Sequence, residues 1–260
     1  MLELVEEHKC CDGVQRTYKH DSQSISLPMR FSVFLSAEAS KGKVPALFYL
    51  AGLTCTEETC PIKASAQRYA AEHGIALIAP DTSPRGAGVP NESAAWNFCV
   101  GARFYVDATQ EPWARNYRMY SYVTQDLRAT VLAELPVRED RLGIFGHSIV
   151  GHGALVLALK NPGIYKSVSA FALIAAPSQC PWGMKAFSGY LGEDRETWKQ
   201  YEASELVKTA LKFEAGILID QGLADNFLAA QLHPELFEAV AKAAGQAVTV
   251  RRHEDYDHGY

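Results

Sequence analysis

Ser148 sits in Gly146-His147-Ser148-Ile149-Val150-Gly151, directly after the apolar run Leu142-Gly143-Ile144-Phe145 and before a stretch of helix-forming composition. A strand, a sharp turn and a helix in that order lift a serine hydroxyl above a sheet as a nucleophile. The amide of Ile149 then opens the helix, where it can stabilise an oxyanion. Val150 stands where G-x-S-x-G has its second glycine, and Gly151 comes one place late. Taken alone, the motif fits a helix-capping serine as well as a nucleophile. A serine nucleophile needs a base, and the base needs an orienting acid. Downstream of Ser148, the apolar run Ile217-Leu218-Ile219-Asp220 leads to Gln221-Gly222-Leu223-Ala224-Asp225, which places Asp225 on a loop beyond a strand end. Asp220 competes for the role of acid, but its place at the strand terminus favours a structural one. Val248-Thr249-Val250 leads to Tyr256-Asp257-His258, so His258 combines the right chain order with a loop after a late strand. His147 and His152 flank the serine too closely in sequence and read as packing groups.

A second oxyanion donor is expected on the loop after an earlier central strand. Tyr49-Leu50-Ala51-Gly52-Leu53 supplies a strand end and a glycine where backbone must approach substrate, which makes the N–H of Leu53 the candidate. A simple turn glycine is the alternative. The six cysteines, at 10, 11, 55, 60, 99 and 180, follow no disulfide-framework spacing. Adjacent Cys10 and Cys11 suggest metal or redox chemistry, but without a CxxC or a nearby histidine pair they read as two unrelated thiols.

These residues need a scaffold that brings positions 53, 148, 225 and 258 together. Short apolar runs at 31–35, 46–50, 75–79, 142–145, 168–175 and 217–220 read as strands, several buried on both faces. Segments 63–72, 117–134, 151–160 and 228–244 carry helix-forming composition. Their alternation predicts an α/β fold with a mostly parallel sheet covered by helices, with antiparallel strands leading in before residue 50. Residues 81–113 are rich in Gly, Pro, Ser and aromatics without a period. A long irregular segment after a strand's C-terminal end is where ligands bind in such sheets.

With 260 residues, 48% of them hydrophobic, and no repeat or linker, the chain reads as one domain, 1–260. A net charge of −5 without a basic cluster argues against nucleic acid. No apolar run reaches membrane-spanning length, and the acidic start Met1-Leu2-Glu3 lacks the features of a secretory signal, which favours the cytoplasm.

Several runs carry a resemblance to a known family. They are Gly52-Leu53-Thr54-Cys55-Thr56-Glu57-Glu58, Pro80-Asp81-Thr82-Ser83-Pro84-Arg85-Gly86, Phe104-Tyr105-Val106-Asp107-Ala108-Thr109-Gln110, Val168-Ser169-Ala170-Phe171, Pro181-Trp182-Gly183, Asp220-Gln221-Gly222 and Tyr256-Asp257-His258. In this order, across almost the whole chain, they resemble the S-formylglutathione hydrolase (esterase D) family of the α/β-hydrolase superfamily. The resemblance implies a cytosolic homodimer without cofactor or metal that hydrolyses S-formylglutathione to glutathione and formate in formaldehyde detoxification, with side activity on short carboxylesters. By motif, Ser148 becomes the nucleophile, Asp225 the acid and His258 the base, with oxyanion donors at the Leu53 and Ile149 amides. Trp182 would line the acyl pocket or else pack in the core, and Cys55 would be a thiol near the site.

The chain departs from the family at Val150, which is expected to push the helix off its strand and disturb the Ile149 amide. It departs also at Trp96-Asn97-Phe98-Cys99, at Arg103, at Cys60-Pro61 and at Ala172-Leu173-Ile174-Ala175-Ala176. Ending at Tyr260, it is expected to lack the family's C-terminal helix and to leave His258 prone to fraying. Altered acyl preference, as a carboxylesterase or acyltransferase, and a catalytically impaired hydrolase fold are the alternatives.

Overall fold

The computed structural model describes residues 2–90, 98 and 104–260. Trp96, Asn97, Cys99 and Arg103 lie outside them. Among the described residues nine strands form one sheet: β1 (Glu3–Cys10), β2 (Gly13–Ser22), β3 (Leu27–Leu35), β4 (Val44–Leu50), β5 (Ala76–Pro80), β6 (Val137–His147), β7 (Tyr165–Phe171), β8 (Ile217–Gly222) and β9 (Val248–His253). Their spatial order is β1-β2-β3-β5-β4-β6-β7-β8-β9. The first three pair antiparallel, and β3 is antiparallel to β5. From β5 to β9 every pairing is parallel. This is an α/β fold with a mostly parallel sheet flanked by helices.

The burial of each strand follows its sequence. Ala-Leu-Ile-Ala-Pro of β5 is apolar throughout and buried throughout, since helices and loops cover both faces. β1, Glu-Leu-Val-Glu-Glu-His-Lys-Cys, is exposed over almost its whole length and forms a charged edge strand, a composition that discourages pairing with another sheet. Behind β6, the helix Ile149–Lys160 is buried at every position from Ile149 to Leu159. A helix apolar all round must be enclosed, and this one is packed against β6 and β7 beneath the chain that follows them.

Several elements differ from their expected bounds. The strand expected over 168–175 ends at Phe171, because Ala172 takes a left-handed φ of 44° and turns its amide onto the Asp220 carbonyl. The helix expected over 63–72 divides at Ser65 (φ 48°) into Thr59–Lys63 and Ala66–Glu72. The one expected over 228–244 divides at His233 (φ 50°), since Pro234 disfavours helical geometry in the residue before it. The segment 117–134 forms Met119–Ser121, a π-helical stretch Tyr122–Leu127 and the helix Arg128–Glu134. The helix Pro181–Leu191, which starts on a proline, went unforeseen. Among the described residues, no helix is long and apolar enough to cross a membrane.

Candidate active site

The parallel strands β4, β6, β7 and β8 carry the candidate residues at their C-terminal ends. Ser148 follows β6 and precedes the helix Ile149–Lys160, with φ 66° and ψ −130°. A non-glycine residue holds such a conformation at a cost of about 1–3 kcal/mol, so its surroundings must enforce it. The Ser148 amide donates to the Phe171 carbonyl at the end of β7 (2.8 Å), and the Gly151 amide donates to the Ser148 carbonyl (3.0 Å). Gly146 permits the tight turn: a Cβ there would stand 2.2 Å from the Val150 carbonyl oxygen. The first helical turn therefore sits directly on the strand. Val150, expected to lift the helix, instead has its side chain in the hydrophobic core at 2% exposure. Its backbone makes the close approach, and its side chain belongs to the hydrophobic core.

The structure brings Ser148, His258 and Asp225 into one line. His258 Nε2 lies 3.0 Å from Ser148 Oγ, and His258 Nδ1 lies 2.7 Å from Asp225 Oδ2. Asp225 has a fully buried carboxylate and accepts from the Phe227 amide (2.8 Å) and from Gln221 Nε2 (3.4 Å). Those bonds fix the carboxylate plane facing the imidazole. Asp220 does other work: it binds Arg251 (2.7 and 2.8 Å) and His253 (2.7 Å), tying β8 to β9. Burial alone would raise its pKa, but these hydrogen bonds hold it below the usual carboxylate range.

His258 lies on a strap that crosses β8. At Gly222 a Cβ would stand 2.3 Å from the Tyr256 carbonyl oxygen and 2.8 Å from that of Asp257. The Ala224 amide donates to the Tyr256 carbonyl at 3.0 Å. Tyr260 fastens the end, its hydroxyl donating to the Asp220 carbonyl (2.6 Å) and accepting from the Ala172 amide (3.2 Å). His147 Nε2 donates to the His258 carbonyl (2.6 Å), so His147 positions the strap. Burial first, then the neighbouring His258, pushes the His147 pKa down to about 4, and the ring is neutral at pH 7. His152 is fully buried, its Nε2 accepts from the Ala203 amide (3.2 Å), and burial lowers its pKa to about 3.

On the far side of Ser148 lies the loop after β4. A Cβ on Gly52 would be 3.3 Å from the His147 carbonyl and 3.6 Å from Ser148 Cβ, so the Gly52-Leu53 peptide borders Ser148. Ile149 begins a twelve-residue helix and its amide is among those with no intrahelical acceptor. The loop is clamped from β5. Thr82 Oγ1 (2.6 Å) and Arg85 (3.3 Å) both donate to the Cys55 carbonyl, and Arg85 is held by the buried Asp81 carboxylate (2.6 and 2.8 Å). The hydrogen bonds to Asp81 raise the Arg85 pKa, so the guanidinium stays charged while bracing a backbone turn.

A family model described as "Putative esterase" matches residues 22–260. The S-formylglutathione hydrolase of Mus musculus is 50% identical over 260 residues, covering all of this chain and 92% of its own length. That of Bos taurus is 49% identical over the same span. A solved S-formylglutathione hydrolase from Agrobacterium tumefaciens matches with a TM-score of 0.95 and 43% identity, over 98% of this chain and 92% of that one. The chain belongs to the S-formylglutathione hydrolase family. It is therefore a hydrolase of the serine-esterase type with an α/β-hydrolase fold.

Within that family frame, Trp182 stands at the start of the helix Pro181–Leu191, its ring 4.9 Å from that of Phe227. Phe227 in turn meets His258 edge-on at 5.0 Å. Trp182 thus joins an aromatic wall that reaches the imidazole. Cys55 lies on the Gly52–Glu57 loop, where its carbonyl, not its thiol, carries the bonds that hold the turn.

Phe227, the Asp81–Arg85 clamp and the fastening role of Tyr260 were missed in the sequence reading. Arg85 and Asp81 were quoted only as family motif, and their four-residue spacing with a proline between them was the available signal. Phe227 gave none, because its role depends on how the loop after β8 folds back.

Proposed function

We propose that this chain is a serine thioesterase that hydrolyses S-formylglutathione to glutathione and formate, with side activity on short carboxylesters. The observation that carries the reading is the continuous relay Asp225–His258–Ser148, at 2.7 and 3.0 Å, on an elbow held at a left-handed φ. In this reading Ser148 Oγ attacks the thioester carbonyl while His258 Nε2 takes its proton. Asp225 holds the Nδ1–H and stabilises the imidazolium. The Leu53 and Ile149 amides donate to the oxyanion of the tetrahedral intermediate, whose collapse breaks the C–S bond. Glutathione leaves with the proton from His258. Water, deprotonated by the same imidazole, then attacks the formyl ester on Ser148 and releases formate.

The aromatic wall of Trp182 and Phe227 beside His258 suits a small acyl group, since bulky rings leave little room there. Cys55 shares the loop of the Leu53 donor, so alkylating its thiol is expected to slow turnover. Formaldehyde detoxification, a cytoplasmic setting and a homodimer belong to the same reading and rest on the family. Light scattering on the purified protein tests the dimer.

The deciding experiment compares hydrolysis of S-formylglutathione and of a short-chain aryl ester by the wild type and Ser148→Ala. The substitution is expected to cost at least about a thousandfold in kcat on both substrates. Equal rates in the two proteins would remove Ser148 from the mechanism. A wild type that prefers the aryl ester by its kcat/KM would replace the thioesterase by a carboxylesterase.

A further inference from the structure

Neighbouring residues of an extended strand point to opposite faces of a sheet, so two adjacent cysteines ordinarily keep their thiols apart. Cys10 and Cys11 do not. Cys10 ends β1 and pairs with Gly13 across a two-residue turn, and Cys11 and Asp12 both take left-handed backbone, with φ 47° and 59°. The turn swings the thiols together, with 3.6 Å between the two sulfurs. Its tip is seated: a Cβ on Gly13 would be 2.2 Å from the Leu35 carbonyl oxygen at the end of β3. Both thiols are free, Cys11 exposed and Cys10 half-buried. They line a groove of about 730 Å³, together with Lys9, Ser36, Ala37 and Pro136. Ser36 and Ala37 precede β4 and Pro136 precedes β6, so the groove lies where the parallel strands begin. Ser148 lies at the other edge of the sheet.

Two chemistries suit a close thiol pair, and distance separates them. A direct disulfide wants Cα atoms about 4.4–6.8 Å apart, whereas a trans peptide holds adjacent Cα atoms at about 3.8 Å. Sulfurs that share one inserted centre stay apart. With bonds of about 2.3 Å and a tetrahedral angle they stand about 3.8 Å from each other, and a narrower angle at a three-coordinate centre brings them slightly closer. The 3.6 Å observed matches a bridged pair without backbone movement. A tetrahedral metal ion wants more protein ligands, and among the described residues no group of three or more His, Cys, Asp or Glu side chains could hold one. A centre satisfied by two protein sulfurs is favoured.

We propose that Cys10 and Cys11 form a dithiol site for trivalent arsenic carrying one organic substituent. Two As–S bonds form as the arsenic–oxygen double bond of an organic arsenoxide is lost. The oxygen leaves as water with the two thiol protons, and arsenic stays trivalent. Burial, with the hydrogen bond that Cys10 Sγ donates to Cys11 Sγ next, raises the pKa of Cys10.

Treating the full chain with phenylarsine oxide, then with excess glutathione, and weighing the intact protein tests this. A chelated arsenic resists monothiols, whereas one bound through a single sulfur is displaced. The wild type is expected to keep one phenylarsenic adduct that dithiothreitol removes, and Cys10→Ser and Cys11→Ser are each expected to lose it entirely. Absence of a glutathione-resistant adduct on the wild type, or its survival in either single variant, would overturn the assignment. Both variants alter a hairpin tip and are expected to melt with the wild type, so loss of the adduct reads on the thiols and not on the fold.

Discussion

The strap that carries His258 gives the most direct handle on the relay. Substituting Gly222→Ala would place a methyl carbon 2.3 Å from the Tyr256 carbonyl oxygen, where ordinary contact begins near 3.4 Å. The obstructing atoms are backbone, so no rotamer relieves the clash, and the strap must withdraw by about 1 Å. His258 lies two residues beyond Tyr256, and its 3.0 Å contact with Ser148 has no slack to absorb that shift. A displacement of about 1 Å between reacting groups costs roughly a hundredfold in rate. The overpacking itself costs about 1–3 kcal/mol of stability. Gly259→Ala is the matched control in the same strap, because a Cβ there meets only Asp257 Oδ1 at 3.4 Å. The assay is kcat on a short-chain aryl ester, with thermal melting to show that both variants are folded. If folded Gly222→Ala keeps at least half the wild-type kcat, the seating of the strap does not govern the base, and the reasoning fails.

Three further outcomes follow from the same geometry. Asp225→Asn keeps the size of the acid but offers the imidazole a neutral partner, and kcat is expected to fall by about 10³–10⁴-fold with an unchanged circular dichroism spectrum; a loss under tenfold would make another group the acid. Val150→Gly is expected to lower stability by about 2–3 kcal/mol, through a core cavity and a glycine in a helix, without raising turnover; a faster folded enzyme would show that Val150 does strain the elbow. His147 concerns pH. Its folded pKa of about 4 lies below the unfolded value near 6.5, so the unfolded chain binds more protons between the two and stability falls as pH drops through that window. At pH 5 this amounts to about 2 kcal/mol, a loss that His147→Gln, with a donor but no titration, is expected to escape. Urea denaturation at pH 7.5 and pH 5 checks it, and equal losses in both proteins would refute it.

Much of this molecule was legible from local pattern. The alternation of apolar runs with helix-forming segments identified the parallel sheet, because strands buried on both faces must be apolar throughout, as in β5. Chain order and strand-end position selected Ser148, Asp225 and His258, because a parallel sheet sends the end of each strand to the same edge. Asp220 was set apart by its place in the strand, where its carboxylate shares a sheet face with side chains of the neighbouring strand and here finds Arg251 and His253 on β9. Element boundaries were read less well where one residue takes a left-handed φ. Ser65, Ala172 and His233 carry no glycine to announce it.

What tertiary structure alone decided is how the groups are held. No spacing in the sequence says that the Gly222 backbone must clear the strap, that His147 donates to the His258 carbonyl, or that Arg85 braces a turn thirty residues earlier. It also reversed the reading of Val150. A branched side chain next to a nucleophile looks obstructive on paper, but the helix turns its backbone to Gly146 and its side chain to the core. The same holds for Cys10 and Cys11, adjacent in sequence yet made a pair only by the turn between β1 and β2. The sequence by itself determined which chemical groups exist and which edge of the sheet they reach, because periodicity and chain order are local. Their distances depend on contacts between residues far apart in the chain, and only the packed fold sets those.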